Sequence, residues 1–179
     1  MKKEVSKGRA ARLINAGNLI LVTSSYKDKD NIVTCAWHSP CSHKPACLSV
    51  ALAKKHLSSE LITKSSEFII NVPDWSLKDS AVFCGTHSGR DCDKFKDGKL
   101  SKERPHTLIK TPKIKECIGS VECSLVDVKP IGDHFVFFGE PLHADAEEEL
   151  FDFDNLVWKS NAGLIFHLGS TFFIKQPPL

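Results

Sequence analysis

Two segments of this chain carry residue types from which a ligand site can be built. They are Ser88-Gly89-Arg90-Asp91-Cys92-Asp93-Lys94-Phe95 and Asn31-Ile32-Val33-Thr34-Cys35-Ala36-Trp37. In the first, Ser88 followed three residues later by Asp91 resembles a helix capping box with Asp in place of Glu. Gly89 permits close approach of the backbone. Arg90 and Lys94 then present two cations from one short turn. In the second, strand alternation puts Asn31 and Trp37 on one face. An amide, an aromatic ring and a cationic turn suit a flat, phosphorylated ligand. Each piece also has an ordinary structural reading: a turn with solvated charges, a strand-start Asn, a core or interface Trp.

A third segment adds to the pattern. In Cys47-Leu48-Ser49-Val50-Ala51-Leu52 the residues Leu48, Val50 and Leu52 share an apolar face. Ser49 and Ala51 leave the other face small enough for a planar ring, or for a crowded helix. Lys54-Lys55-His56-Leu57-Ser58-Ser59 follows, with cations ahead of a Ser-capped helix start, the ingredients of a phosphate site. Surface helices commonly begin this way, so this segment alone is weak.

The elements that must position these residues are mainly strands. Residues 9–16 read as a short amphipathic helix with Leu13 and Ile14 as its stripe. Leu19–Ser24, Asn31–Trp37, Cys47–Leu52 and Phe68–Val72 read as strands, and Ser39–Ala46 as a loop. Helices are expected from Ser58 or Ser59 to Lys64, over Ser76–Phe83, and as a short piece within Gly85–Gly98. Residues 99–115 show no periodicity and read as an extended loop. Cys117–Lys129 and Phe135–Ala144 form the clearest hairpin, around Pro130–His134. Leu164–Leu168 and Thr171–Ile174 are expected to finish the sheet. Six or more mostly antiparallel strands with few helices favour a closed or split barrel. No Gly-x-Gly-x-x-Gly follows a strand, which disfavours a Rossmann fold.

The 179 residues fit one domain spanning 1–179. A net charge of +2 argues against a general nucleic-acid binder. Charge is uneven: Lys94–Lys115 holds eight Lys or Arg against two acids, and Asp145–Asp154 holds six acids and no Lys or Arg. The basic stretch reads as a solvated surface or as an attractor for an anionic ligand. A polar, charged start without a signal-peptide core, and no apolar run of about 20 residues, predict a cytoplasmic protein with no membrane partner. Seven cysteines then read as mostly free thiols. Cys35, Cys41 and Cys47 lie six apart near His38 and His43, without the tight pairs of zinc sites, so no metal is expected. No Gly-x-Ser-x-Gly elbow supports nucleophilic hydrolysis.

Taken together, the chain resembles the flavin reductase-like family of FMN-binding split barrels, which includes flavoredoxins. The matching pieces are Leu19–Thr23, Asn31-x5-Trp37, Leu48–Leu52, His56-Leu57-Ser58, Glu67–Pro73 and Cys84-Gly85. They continue with Ser88-Gly89-Arg90-Asp91-x2-Lys94-Phe95 and with Gly132-Asp133-His134 leading to Phe138-Gly139-Glu140. The chain departs from the family in lacking a Gly in the turn before Asn31, and in having a single proline, Pro45, before Cys47.

The resemblance implies a mainly β, Greek-key, mostly antiparallel split barrel, homodimeric, with FMN near the interface. By matching position, Asn31, Trp37, Ser58, Lys94 and His134 are the expected flavin neighbours. Thr34, Cys35 and Ala36 would give backbone contacts, and Ser49, Val50, Ala51 and Leu52 would line the other wall. Ser88, Gly89 and Arg90 are expected at the phosphate end. The implied activity is that of an FMN-dependent oxidoreductase, reduced by NADH or NADPH and passing electrons to a second acceptor. No dedicated catalytic side chain is expected. The second reading is a flavoredoxin-type electron carrier, reduced by a redox partner protein.

Overall fold

Seven segments pair into one antiparallel sheet in the computed structural model, which describes residues 6–14, 17–107 and 110–177. They are β1 (Ile20–Tyr26), β2 (Lys29–Cys35), β3 (His38–His43), β4 (Ala46–Ala53), β5 (Glu67–Val72), β6 (Gly119–Ile131) and β7 (His134–Ala146). Their spatial order is β2-β1-β5-β6-β7-β4-β3. The sheet curls until the end of β2 meets β4. There Ala51 N–H donates to Trp37 C=O at 2.8 Å, and the Cys35 thiol donates to the same carbonyl at 3.3 Å. The result is a mainly β split barrel. Val22, Val33, Val50, Phe68, Cys123 and Phe137 fill it and are buried.

Among the described residues three α-helices attach to this barrel: α1 (Leu57–Ser65), α2 (Lys78–Thr86) and α3 (Lys94–Asp97). The outer face of β1 and β2 offers Leu21 and Ile32, which pack with Ala81, Cys84, Phe95, Ile114 and Ile165 in a second core. Thr34 Oγ1 donates to the Ala81 carbonyl at 2.6 Å and fixes α2 against β2. Among the described residues no helix is long and apolar enough to cross a membrane.

Several local expectations are corrected. The 39–46 segment is largely strand: β3 is an exposed edge strand, and its Pro40 sits beside a register irregularity between Pro40 and Ser42. Edges tolerate proline because no neighbour needs its missing N–H. The second strand ends at Cys35, so alternation does not determine where Trp37 points. No helix starts at Ser88. Asp93 caps α3 instead, accepting from Phe95 N–H at 3.0 Å and Lys96 N–H at 3.3 Å. Helix α1 begins after His56 with no side-chain cap.

The expected helix over 9–16 is a 3-10 turn, Lys7–Leu13, with Leu13 and Ile14 exposed; residues 15 and 16 lie outside the described residues. Strands Ile165–Gly169 and Phe172–Lys175 do not finish the main sheet. They form a separate small sheet with Gly17–Asn18. Within 99–115, where residues 108 and 109 lie outside the described residues, Lys102–Glu103 pairs with Lys113–Ile114. Barrel side chains strap this segment down. Glu67 accepts from Thr111 N–H at 2.9 Å, Asn71 from Ile114 N–H at 2.9 Å, and Glu122 from Thr107 N–H at 2.7 Å.

Candidate functional site

Where the rolled sheet brings β2 beside β4, a cleft of about 480 Å³ opens. Thr34, Cys35, Ala36 and Trp37 form one wall, and Ala51, Leu52 and Ala53 form the other. His134, at the start of β7, closes one end. The turn before it is tight because Gly132 takes φ +52, which costs glycine little. The His134 ring packs against Trp37 at 4.9 Å between centroids, inclined by 33°. Its Nδ1 lies 2.6 Å from Asp133 Oδ1. Trp37 remains 45% exposed, so its ring is open to a partner.

His56 also lines a second cleft of about 310 Å³, and so joins the two. This smaller cleft lies between α1 and the 84–89 segment, with Asn31, Lys55, His87, Ser88, Gly89 and Lys94 around it. Neither cleft has an Asp or Glu among its described lining residues.

The electrostatics follow from this composition. Lys94 is buried, and its ammonium donates to the carbonyls of Ile32 at 2.8 Å and Cys84 at 2.6 Å. No carboxylate pairs with it among the described residues. Burial holds its pKa below the usual lysine range. Burial first, then the charges of Lys94 and Lys55, lowers the His56 pKa, which favours the neutral imidazole. Two buried polar atoms at the junction have no hydrogen-bond partner: Asn31 Oδ1 and His56 Nδ1. Unsatisfied buried groups are costly in a folded protein. A ligand with a hydroxylated chain and an anionic end would satisfy both and neutralise Lys94. Burial pushes the Cys35 thiol up to about 12. It is a closed structural donor rather than a nucleophile.

The structure brings eleven of the fifteen expected residues to the cleft walls. Thr34, Cys35, Ala36, Trp37, Ala51, Leu52 and His134 line the larger cleft, and Asn31, Ser88, Gly89 and Lys94 the smaller. The remaining four lie elsewhere. Val50 is wholly buried in the barrel core. Ser49 faces the edge strand, donating to Ser39 C=O at 3.3 Å. Arg90 turns outward to Glu60 at 2.9 Å. Ser58 is buried behind the site, where its Oγ accepts from Asn31 Nδ2 at 2.9 Å and orients that amide.

Sequence reasoning pointed to Lys55 and His56 as part of a phosphate site, but it did not place Arg12, His167 and Ser170 in the larger cleft or His87 beside the smaller one. The Lys54-Lys55-His56 run was a visible signal. Arg12, His167 and Ser170 come from distant parts of the chain with no local pattern. Among the described residues no group of three or more His, Cys, Asp or Glu is arranged to hold a metal ion.

Comparison with known proteins supports this picture. The profile described as flavin reductase like domain matches residues 12–162. An uncharacterized protein of Pyrococcus abyssi is 33% identical over 141 residues, covering 79% of this chain and 80% of the relative. An FMN-binding protein from Thermus thermophilus, solved with bound 1-cyclohex-2-enone, superposes with a TM-score of 0.88 at 23% identity, covering 100% and 98% of the two chains. Flavoredoxin from Methanosarcina acetivorans gives 0.85 at 23% identity, covering 98% and 91%. Nitrilotriacetate monooxygenase component B from Bacillus cereus gives 0.84 at 18% identity, covering 98% and 95%. At these identities the solved structures speak for the fold. With the profile spanning most of its length, the chain belongs to the flavin reductase like domain family.

Proposed function

We propose that the joined clefts hold FMN, and that the protein is an FMN-dependent oxidoreductase using NADH or NADPH. The observation that carries this reading is Lys94 on the wall of the smaller cleft, a buried cation with no carboxylate partner among the described residues. A phosphate there would supply the missing charge. Asn31 Oδ1 would accept from a hydroxyl of the ribityl chain. Trp37, His134 and the small wall Ala51–Ala53 would enclose a flat ring and keep water from it. The names of the similar structures, an FMN-binding protein, a flavoredoxin and a monooxygenase component, agree with this assignment.

The redox chemistry would come from the cofactor, which exchanges a hydride with a reduced nicotinamide and yields the electrons to a second acceptor. The protein's part is to bind, orient and tune. Lys94 and the backbone around the cleft favour negative charge. No side chain is assigned a nucleophilic or proton-transferring role. The apolar rim supports a homodimer that covers the site: Ile14, beside Ala36 and Trp37, is 87% exposed.

The test is the visible spectrum of the protein with added FMN, followed anaerobically on adding NADH or NADPH. A bound-flavin spectrum that bleaches is expected. Bound flavin that stays oxidised until a partner protein is supplied would favour the flavoredoxin-type carrier. Absence of flavin binding would sink the proposal.

A further inference from the structure

The larger cleft has a second cationic locus, far in sequence from Lys94. Arg12, on the Lys7–Leu13 turn, lines this cleft together with His167 and Ser170 of the small sheet. Its side chain rests on the turn at Gly169, where an added Cβ would stand 3.0 Å from Nη1 and 3.6 Å from Cδ. That turn is itself braced, with His167 Nε2 3.0 Å from the Ser170 carbonyl oxygen. Arg12 makes no ion pair among the described residues, and no Asp or Glu lines the cleft beside it. The other charged or titratable groups facing this space are His56, His134 and the Cys35 thiol, with Asp133 taken up at the rim by His134.

FMN has one anionic end, and the smaller cleft with Lys55 and Lys94 already suits it. A guanidinium in the larger cleft is therefore surplus to the cofactor. Among the described residues no lysine lines the larger cleft. The planar guanidinium fork can bind a carboxylate or a phosphate bidentately, and a lone guanidinium is enough to hold one carboxylate. With Trp37 and His134 facing the flavin ring in the flavin reading, the His167 ring beside Arg12 adds an aromatic wall for a second flat molecule.

We propose that Arg12 is a specificity-determining residue that anchors the carboxylate of a small aromatic second substrate in the larger cleft. The inference rests on the flavin reading for its place in a reaction, but the binding it predicts can be measured without flavin.

Trp37 in the same cleft reports occupancy by the ligand-dependent part of the tryptophan fluorescence, to which Trp75 and Trp158 add a background. The protein, with and without FMN, is titrated with 4-nitrobenzoate and with its neutral isostere 4-nitrobenzamide. The carboxylate should bind roughly tenfold tighter or more, as a charged hydrogen-bonded pair requires. Arg12→Gln should remove the difference, Arg12→Lys should restore part of it, and FMN affinity should stay unchanged in both. Equal binding of the two probes, or an undiminished preference in Arg12→Gln, would overturn the assignment. So would a parallel loss of FMN affinity, which would make Arg12 a cofactor residue. The donor's phosphates are the competing source of negative charge. Loss of NADH and NADPH affinity in Arg12→Gln with nitrobenzoate binding intact would give Arg12 to the donor and overturn the carboxylate. If wild type binds no FMN, the flavin reading fails alone, and the two probes on flavin-free protein still decide Arg12.

Discussion

Gly89 lies directly against the side-chain amide of Asn31: a Cβ added at position 89 would stand 1.9 Å from Asn31 Oδ1. Asn31 cannot simply turn aside, because it is buried and its Nδ2 is committed to Ser58 Oγ at 2.9 Å. Gly89→Ala should therefore break that bond or displace the 84–89 wall. Overpacking of this kind costs about 1–3 kcal/mol, and a misplaced wall should weaken FMN binding by about tenfold or more. Urea unfolding and FMN titration check the two halves. Wild-type values for both would show that the wall yields freely and that Asn31 is not held by it.

Lys94→Met separates the phosphate from the ring. Methionine keeps the length of the side chain but loses the charge and the donors to Ile32 and Cys84. A charged hydrogen bond contributes about 1.5–3 kcal/mol, so FMN should bind on the order of 10- to 100-fold more weakly. Riboflavin, which has no phosphate, should bind the variant and the wild type alike. Equal losses for both ligands would mean that Lys94 supports the site's shape rather than its charge.

Much of the barrel is readable because its strands are apolar-rich runs bounded by turn residues. Glu67–Val72, buried continuously from Phe68 to Asn71, and the long hairpin closed at Gly132–Asp133 are examples. The edge strand His38–His43 leaves no such trace. It is exposed, and it carries Ser, Cys and Pro where a central strand would carry apolar residues. The site is legible where neighbouring residues share a task, as in Thr34–Trp37 and Ser88–Lys94. It is opaque where the task is split by folding. Arg12 and Ser170 meet across more than a hundred residues, and Ser58 acts only through Asn31. Arg90 and Lys94 look equivalent as a sequence pair. What separates them is Glu60, which draws Arg90 outward.

Stability should fall as pH rises above 9. Burial raises the thiols of Cys35 and Cys123 from the ordinary 9.0 to about 12, and that of Cys84 to about 11. Below pH 9 these thiols are protonated in both states. Above it the unfolded chain releases protons that the folded chain still holds, so unfolding is favoured by up to about 1.4 kcal/mol per pH unit per thiol. Burial raises the Cys117 thiol as well, and it adds to the decline. Lys94, with its pKa lowered by burial, works in the opposite direction, one group against these four thiols. Urea midpoints measured between pH 8 and 10.5 should decline, and Cys123→Ala should flatten the slope by about one thiol's share. A flat profile in the wild type would refute the burial of these groups.

Asn71 offers the contrasting case of a polar residue whose work is structural. It is fully buried on β5. Its Nδ2 donates to Leu21 C=O at 3.1 Å and to Thr23 Oγ1 at 3.2 Å, and its Oδ1 accepts from Ile114 N–H. One side chain thus ties β1 to the strap that crosses the barrel. Asn71→Ala leaves the Ile114 N–H without its partner in a dry environment, and the loss should be about 2–4 kcal/mol. Because Asn71 lines neither cleft, the folded fraction should bind FMN with wild-type affinity. Hydrogen exchange at the Ile114 amide should quicken far more than exchange at Val50. Uniform acceleration across the barrel would mean that the strap is part of one cooperative unit and does not loosen on its own.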